Sequence, residues 1–160
     1  MTSKPIIIGY DGSESARHAI AFGGELFTGR DAIVVTAFED WPPVAAGDRT
    51  PSPSIDAATR AKVEQLAAEG ADLAISAGFK AVAQVEFASH KPWRTLVEAA
   101  DEHDAALILV GSHGFGGVRA LALGSVSHAL VHHAHQPVLA VPAPATAAAR
   151  REHRAERTAA

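Results

Sequence analysis

Two kinds of apolar pattern take turns along this chain: short runs rich in β-branched residues, and longer stretches whose apolar positions recur every three or four residues. PIIIGY (5–10) is a continuous apolar run that stops at DGS, the pattern of a buried strand ending in a turn. SESARHAIAFGGELFTGR (13–30) then reads as a helix. Ser13 or Ser15 is placed to cap it, and Ala16, Ile20, Gly23 and Phe27 share one face. AIVVTAF (32–38) is a second strand. Four prolines make 39–54 a loop. A long helix is expected over 55–77, with Val63, Leu66, Gly70, Leu73 and Ala77 on its inner face and Gly78 as its stop.

KAVAQVEF (80–87) reads as a third strand, and its Gln84 and Glu86 place it at a sheet edge. PWRTLVEAADEHD (92–104) is a helix with Pro92 in its first turn and Trp93, Leu96, Val97 and Ala100 inward. AALILV (105–110) is the most apolar strand and is expected at the centre of the sheet. SVSHALVHHAH (125–135) is a helix, and PVLAV (137–141) a closing strand. The alternation predicts an α/β fold, an open five-stranded parallel sheet with helices on both faces. It forms one domain over 1–142. Residues 143–160 lack large apolar side chains and are expected to be a disordered or weakly helical tail.

Composition narrows the function. The formal net charge is −4, with no strongly basic region, so nucleic acid is not the expected partner. The absence of cysteine removes disulfides, thiolate zinc sites and cysteine nucleophiles together. The opening MTSKPIIIGYDGS has three consecutive aliphatics before Gly9, and no 18-residue apolar run follows elsewhere. No membrane association is expected, and a soluble cytoplasmic protein is.

The chemistry concentrates in two loops that follow strands: YDGS after the first and GSHGFGG after the fourth. In open parallel sheets, ligands sit beyond the carboxyl ends of the strands where strand order reverses. A P-loop needs a lysine followed by Ser or Thr after its last glycine, but Gly116 is followed by Gly117 and Val118. The dinucleotide fingerprint fails at Arg119, and no serine stands at the middle of G-x-S-x-G. What remains is Gly111, two residues, Gly114, nine residues, then Gly124-Ser125. Gly124, Ser125, Val126 and Ser127 open a helix, and a helix N-terminus with free amides and two hydroxyls suits a phosphate. A plain loop with a serine-capped helix would account for the same residues.

The spacing G-x2-G-x9-G-[ST] resembles the ATP-binding motif of the universal stress protein family. The likeness runs over roughly residues 4–142, through IIIGYDGSESARHAI, LILVGSHG and GSVSHALVHHAHQPVLAV. It implies strand order 3-2-1-4-5, with ATP at the switch point and Mg2+ carried on its phosphates. Transferred residue by residue, Asp11 and its neighbour Gly12 would meet adenine or ribose from the first turn. Ala37 would line the adenine slot, and Val110 and Gly111 would lie near the ribose. His113 would position ribose or phosphate, Gly114 would let the phosphates close in, and Gly124, Ser125, Val126 and Ser127 would bind them. Many relatives carry Gly and a small acidic or polar residue where this chain reads SHKPW, and the loop at 41–54 is longer than some.

The resemblance implies a nucleotide-dependent regulator in a stress response, acting through a partner protein. A slow ATPase or nucleotide hydrolase and a cyclic-AMP binder are the alternatives on the same fold. No Asp or Glu occurs between 105 and 151, so the phosphate end lacks the acid that phosphoryl transfer uses to hold a metal. Asp11, His113 and Ser125 fit nucleotide contact better than a hydrolytic triad. His128 and His132 stand one helical turn apart, as metal ligands can, but read first as a solvated helix end. Trp41 is a candidate cover for the ligand. The short apolar strand 138–141 is an unguarded edge, expected to pair two copies into a homodimer.

Overall fold

A computed structural model describes residues 3–39, 56–88, 91–114 and 123–159. The proline-rich loop with Trp41, and Gly116, Gly117, Val118 and Arg119 of the glycine stretch, lie outside the described residues.

Five strands, β1 (Ile6–Gly9), β2 (Asp31–Glu39), β3 (Lys80–Ala88), β4 (Leu107–Gly111) and β5 (Val138–Val141), form one sheet in the order β3-β2-β1-β4-β5. Every pairing is parallel, with Ile7 of β1 opposite Ile33 of β2 and Ile108 of β4. The crossovers are α1 (Glu14–Leu26), α2 (Ala57–Ser76), α3 (Pro92–Glu102) and α4 (Ser125–His133). The most apolar strand, β4, is interior but not central: β1 takes the middle. Apolarity does not separate the two, since both are covered on each face, and Ile6, Ile7 and Ile8 of β1 are fully buried.

Strand alternation assigns the helices to faces. Ile6, Ile8, Val34 and Leu109 pack with Ala16, Ala19 and Ile20 of α1 and Ala71 and Ala74 of α2. Ile7, Val35, Ile108 and Val110 point the other way, onto Leu96, Val97 and Ala100 of α3 and Leu130 of α4. β1 and β4 therefore send one helix to each side of the sheet, and the crevice between them opens at their carboxyl ends.

Local chemistry sets the ends of the helices. Ser13 caps α1, its Oγ accepting the Ala16 N–H at 3.2 Å. Asp56 caps α2 through the Thr59 N–H at 2.8 Å, and the bonds from Thr59 hold its carboxyl below the usual range. Gly78 ends the α2 turn at φ +101°, a left-handed conformation that glycine adopts without strain. β3 lies at one edge of the sheet, as its polar residues require, and β5 at the other. Residues 144–159 form a helix, α5 (Pro144–Ala159), exposed along 151–158.

Candidate functional site

The turn after β1 reverses the chain within three residues. Asp11 Oδ1 accepts the Ser13 N–H at 3.0 Å, and Gly12 takes φ +78° so that α1 can start at once. The turn after β4 is built around Ser112, which is fully buried. Its carbonyl accepts the Gly124 N–H at 2.7 Å and the Ser127 hydroxyl at 2.9 Å, fixing the start of α4 against the end of β4. Its own hydroxyl lies 2.8 Å from His113 Nδ1, which orients that ring.

Between these turns lies a cavity of about 420 Å3. Asp11, Ala37, Val110, Gly111, His113, Gly114, Gly124, Ser125, Val126 and Ser127 line it. Gly12 is the one sequence-predicted residue outside the lining; it is buried and serves the turn. Gly9, Tyr10, Ala16, Val35, Pro92 and Leu96 line the cavity too, and sequence reasoning did not place them there. Leu96 carried a signal, its inward position on the helix. Where along that helix the cavity would lie is a matter of tertiary packing.

The cavity has two chemically different halves. Val35, Ala37, Pro92, Leu96, Val110 and Val126 make an apolar wall. Asp11, His113 and Ser125 supply the polar groups of the lining, and glycines stand beside both kinds. Gly124 has no side chain to cap α4, and the first intrahelical bond there runs from the His128 N–H to the Gly124 carbonyl at 2.8 Å. The amides of Ser125, Val126 and Ser127 precede that bond and have no acceptor within the helix. Of the two hydroxyls, Ser125's belongs to an exposed residue, while Ser127 is buried and directs its proton to the Ser112 and Gly124 carbonyls.

The glycines leave space for named neighbours. A Cβ on Gly111 would stand 2.6 Å from Ser15 Oγ, and one on Gly114 would stand 2.6 Å from Asp11 Oδ2. Gly114 therefore makes room first for the Asp11 carboxylate. Among the described lining residues none is Lys or Arg, so an anion here would be held by amide dipoles, a hydroxyl and His113. On the inner wall, burial and the bond to Glu69 push the Tyr10 phenol up to about 12. His128 and His132 are exposed, as expected, whereas Trp93 stacks on His133 with ring centres 4.7 Å apart.

The model of the universal stress protein family matches residues 2–142. This chain belongs to that family. A universal stress protein of Thermus aquaticus, encoded in the 3′ region of a QAH/OAS sulfhydrylase, is 30% identical over 140 residues, 86% of this chain and 98% of that one. Among solved structures, the universal stress protein from Archaeoglobus fulgidus in complex with dAMP has a TM-score of 0.65 at 22% identity, covering 88% of this chain and 99% of that one. A universal stress protein in complex with cAMP has a TM-score of 0.64 at 24% identity, covering 89% and 99%. Mycobacterium tuberculosis universal stress proteins match at 32% identity, and there this chain spans 44% of the relative's length. No helix among the described residues of this universal stress protein is long and apolar enough to cross a membrane.

Proposed function

We propose that this chain is a cytoplasmic adenine-nucleotide-binding regulator of a stress response. It takes ATP, with Mg2+ carried on the phosphates, and acts through nucleotide-dependent contact with a partner protein, as a homodimer joined at β5. The observation that carries this reading is the convergence of the β1 turn, the β4 turn and the first turn of α4 on one cavity of about 420 Å3. Its apolar wall suits a purine. Asp11 belongs to the polar part of the lining, where its carboxylate would meet a ribose hydroxyl. The uncapped amides of Ser125, Val126 and Ser127 suit phosphate, because a helix N-terminus carries about half a positive charge. The relatives crystallised with dAMP and cAMP support an adenine ligand.

Calorimetric titration with ATP, ADP, AMP, dAMP and cyclic AMP tests the reading. Saturable binding of ATP is expected, weakened at least tenfold, about 1.4 kcal/mol, in Gly114→Lys. That side chain would displace Asp11 and enter the phosphate end. ATP affinity unchanged in a folded Gly114→Lys variant, checked by circular dichroism, rejects the assignment. Tighter binding of cyclic AMP than of ATP moves the assignment to a cyclic-nucleotide binder. Phosphate release from ATP that Asp11→Ala abolishes while leaving binding intact moves it to a hydrolase.

A further inference from the structure

The outer face of α4 carries chemistry that the cavity does not use. We propose that His128 and His132 form a two-histidine chelate for a borderline divalent transition cation, of which Cu2+ binds most tightly. The two residues lie one helical turn apart and both are exposed. Their ring centres are 4.7 Å apart with the planes tilted by 55°. A metal–nitrogen bond of about 2.0–2.1 Å puts each ring centre roughly 3.2 Å from the metal, so two rings bound in cis lie about 4.5–5.2 Å apart. The observed separation falls inside that range before any metal arrives.

The neighbouring histidines are engaged elsewhere. His133 stacks on Trp93, and His135 Nδ1 lies 3.1 Å from each carboxylate oxygen of Asp101. No group of three or more His, Asp or Glu is arranged for a metal among the described residues, so water fills the remaining positions of the chelate. The chain has no cysteine, so no thiolate competes for the ion. Imidazole pairs of this kind suit copper, nickel and zinc, with copper at the top of the affinity order. His132 also lies in the last turn of α4, where a cation is favoured by the helix dipole.

The chelate would tie residue 128 to residue 132 in a helix of nine residues, a length that is marginal on its own. Because the His128 amide is bonded to the Gly124 carbonyl, the clamp would begin one turn beyond the proposed phosphate cradle. The site stands independently of the nucleotide reading.

Titration of the full chain with Cu2+ in a non-coordinating buffer, followed by calorimetry, tests it. One saturable site is expected, with a melting temperature that rises as the metal is added. His128→Ala and His132→Ala should each weaken Cu2+ binding at least tenfold, and His133→Ala less than twofold. Circular dichroism of the variants checks that α4 is retained. Binding that persists in the double variant His128→Ala/His132→Ala, or that His133→Ala removes as effectively, overturns the proposal. So does the absence of saturable binding by the unmodified chain.

Discussion

Tyr10 shows how one residue joins the wall of the cavity to both helices on its side of the sheet. It follows β1, is 2% exposed, and donates its hydroxyl to Glu69 Oε1 of α2 at 2.5 Å. Arg17 of α1 donates to the same oxygen at 2.8 Å. The phenol bond, then the guanidinium, hold the Glu69 carboxyl below its ordinary value. Tyr10→Phe is expected to cost about 1 kcal/mol, a hydrogen bond's net worth reduced by the exposure of Glu69. The pH dependence has a definite sign. The phenol is raised to about 12 in the folded chain, while the unfolded chain titrates near 10. The unfolded state therefore loses its proton first, and stability falls as pH rises from 10 to 12. Urea unfolding across that window should show the decline, and Tyr10→Phe should flatten it. An equal slope in the variant would place the effect on another group. Tyr10 reads in the sequence only as the end of a strand; its partner, 59 residues away, is set by the packing of α2.

The elements were legible where their signals are local. Ser13, Pro92 and Gly78 stand at helix ends because capping and backbone geometry act over three or four residues, whereas the Asp56 cap, inside the expected span of α2, came from the structure. Where several faces are nearly equivalent, periodicity was less exact. On α2, Val63 and Gly70 are buried as the spacing predicts, but Ala67, Ala71 and Ala74 are buried as well, while Leu66, Leu73 and Ala77 are only partly so. An alanine-rich helix can approach the sheet on small side chains, and its larger ones then turn to the margins. The α1 cap yields a prediction at this scale. Ser13→Ala removes the acceptor for the Ala16 amide and should cost about 1 kcal/mol in urea unfolding, with Ser13→Thr recovering most of it. If Ser13→Ala matches the unmodified chain, the turn of Asp11 and Gly12 suffices to start α1. The uncapped start of α4 is the counterpart. The sequence places its start at Gly124 and leaves a serine cap open; that no side chain caps it, and that it is held against the end of β4 by bonds to the Ser112 carbonyl, is seen in the structure.

At the scale of the whole molecule, the open edge of β5 bears on assembly. Ile108 N–H bonds the Pro137 carbonyl and Ser112 N–H bonds the Val141 carbonyl, so the odd-numbered residues of β5 face β4. The amides and carbonyls of Val138 and Ala140 therefore face the free edge. Pro137 and Pro142 flank the strand, and no lysine guards it. Two copies paired antiparallel here should have twice the 16.6 kDa of one chain by light scattering. Ala140→Pro removes an outward amide without touching the bonds to β4, and should shift the population to monomer. A monomeric unmodified chain, or a dimer indifferent to Ala140→Pro, places the contact elsewhere. Val141 is unsuited to the test, because it is buried among residues of α1 and the sheet, and a charge there would damage the core.

By itself the sequence determined the alternation of strands and helices, the edge position of β3, the glycine stop after α2 and the glycine spacing of the two loops. All of these depend on neighbours within one or two turns of chain. Strand order was not among them: hydrophobic patterning says which strands are buried on both faces, not which lies beside which. It was read from a family likeness, and the parallel pairings of β1 with β2 and β4 bear it out. Only the tertiary structure decided that Pro92 and Leu96 close the apolar wall. The same holds for the Asp11 carboxylate in the space that Gly114 leaves, and for the Ser127 hydroxyl that turns inward to Ser112. Each of these depends on segments far apart in sequence whose spacing is fixed by close packing of the helices on the sheet.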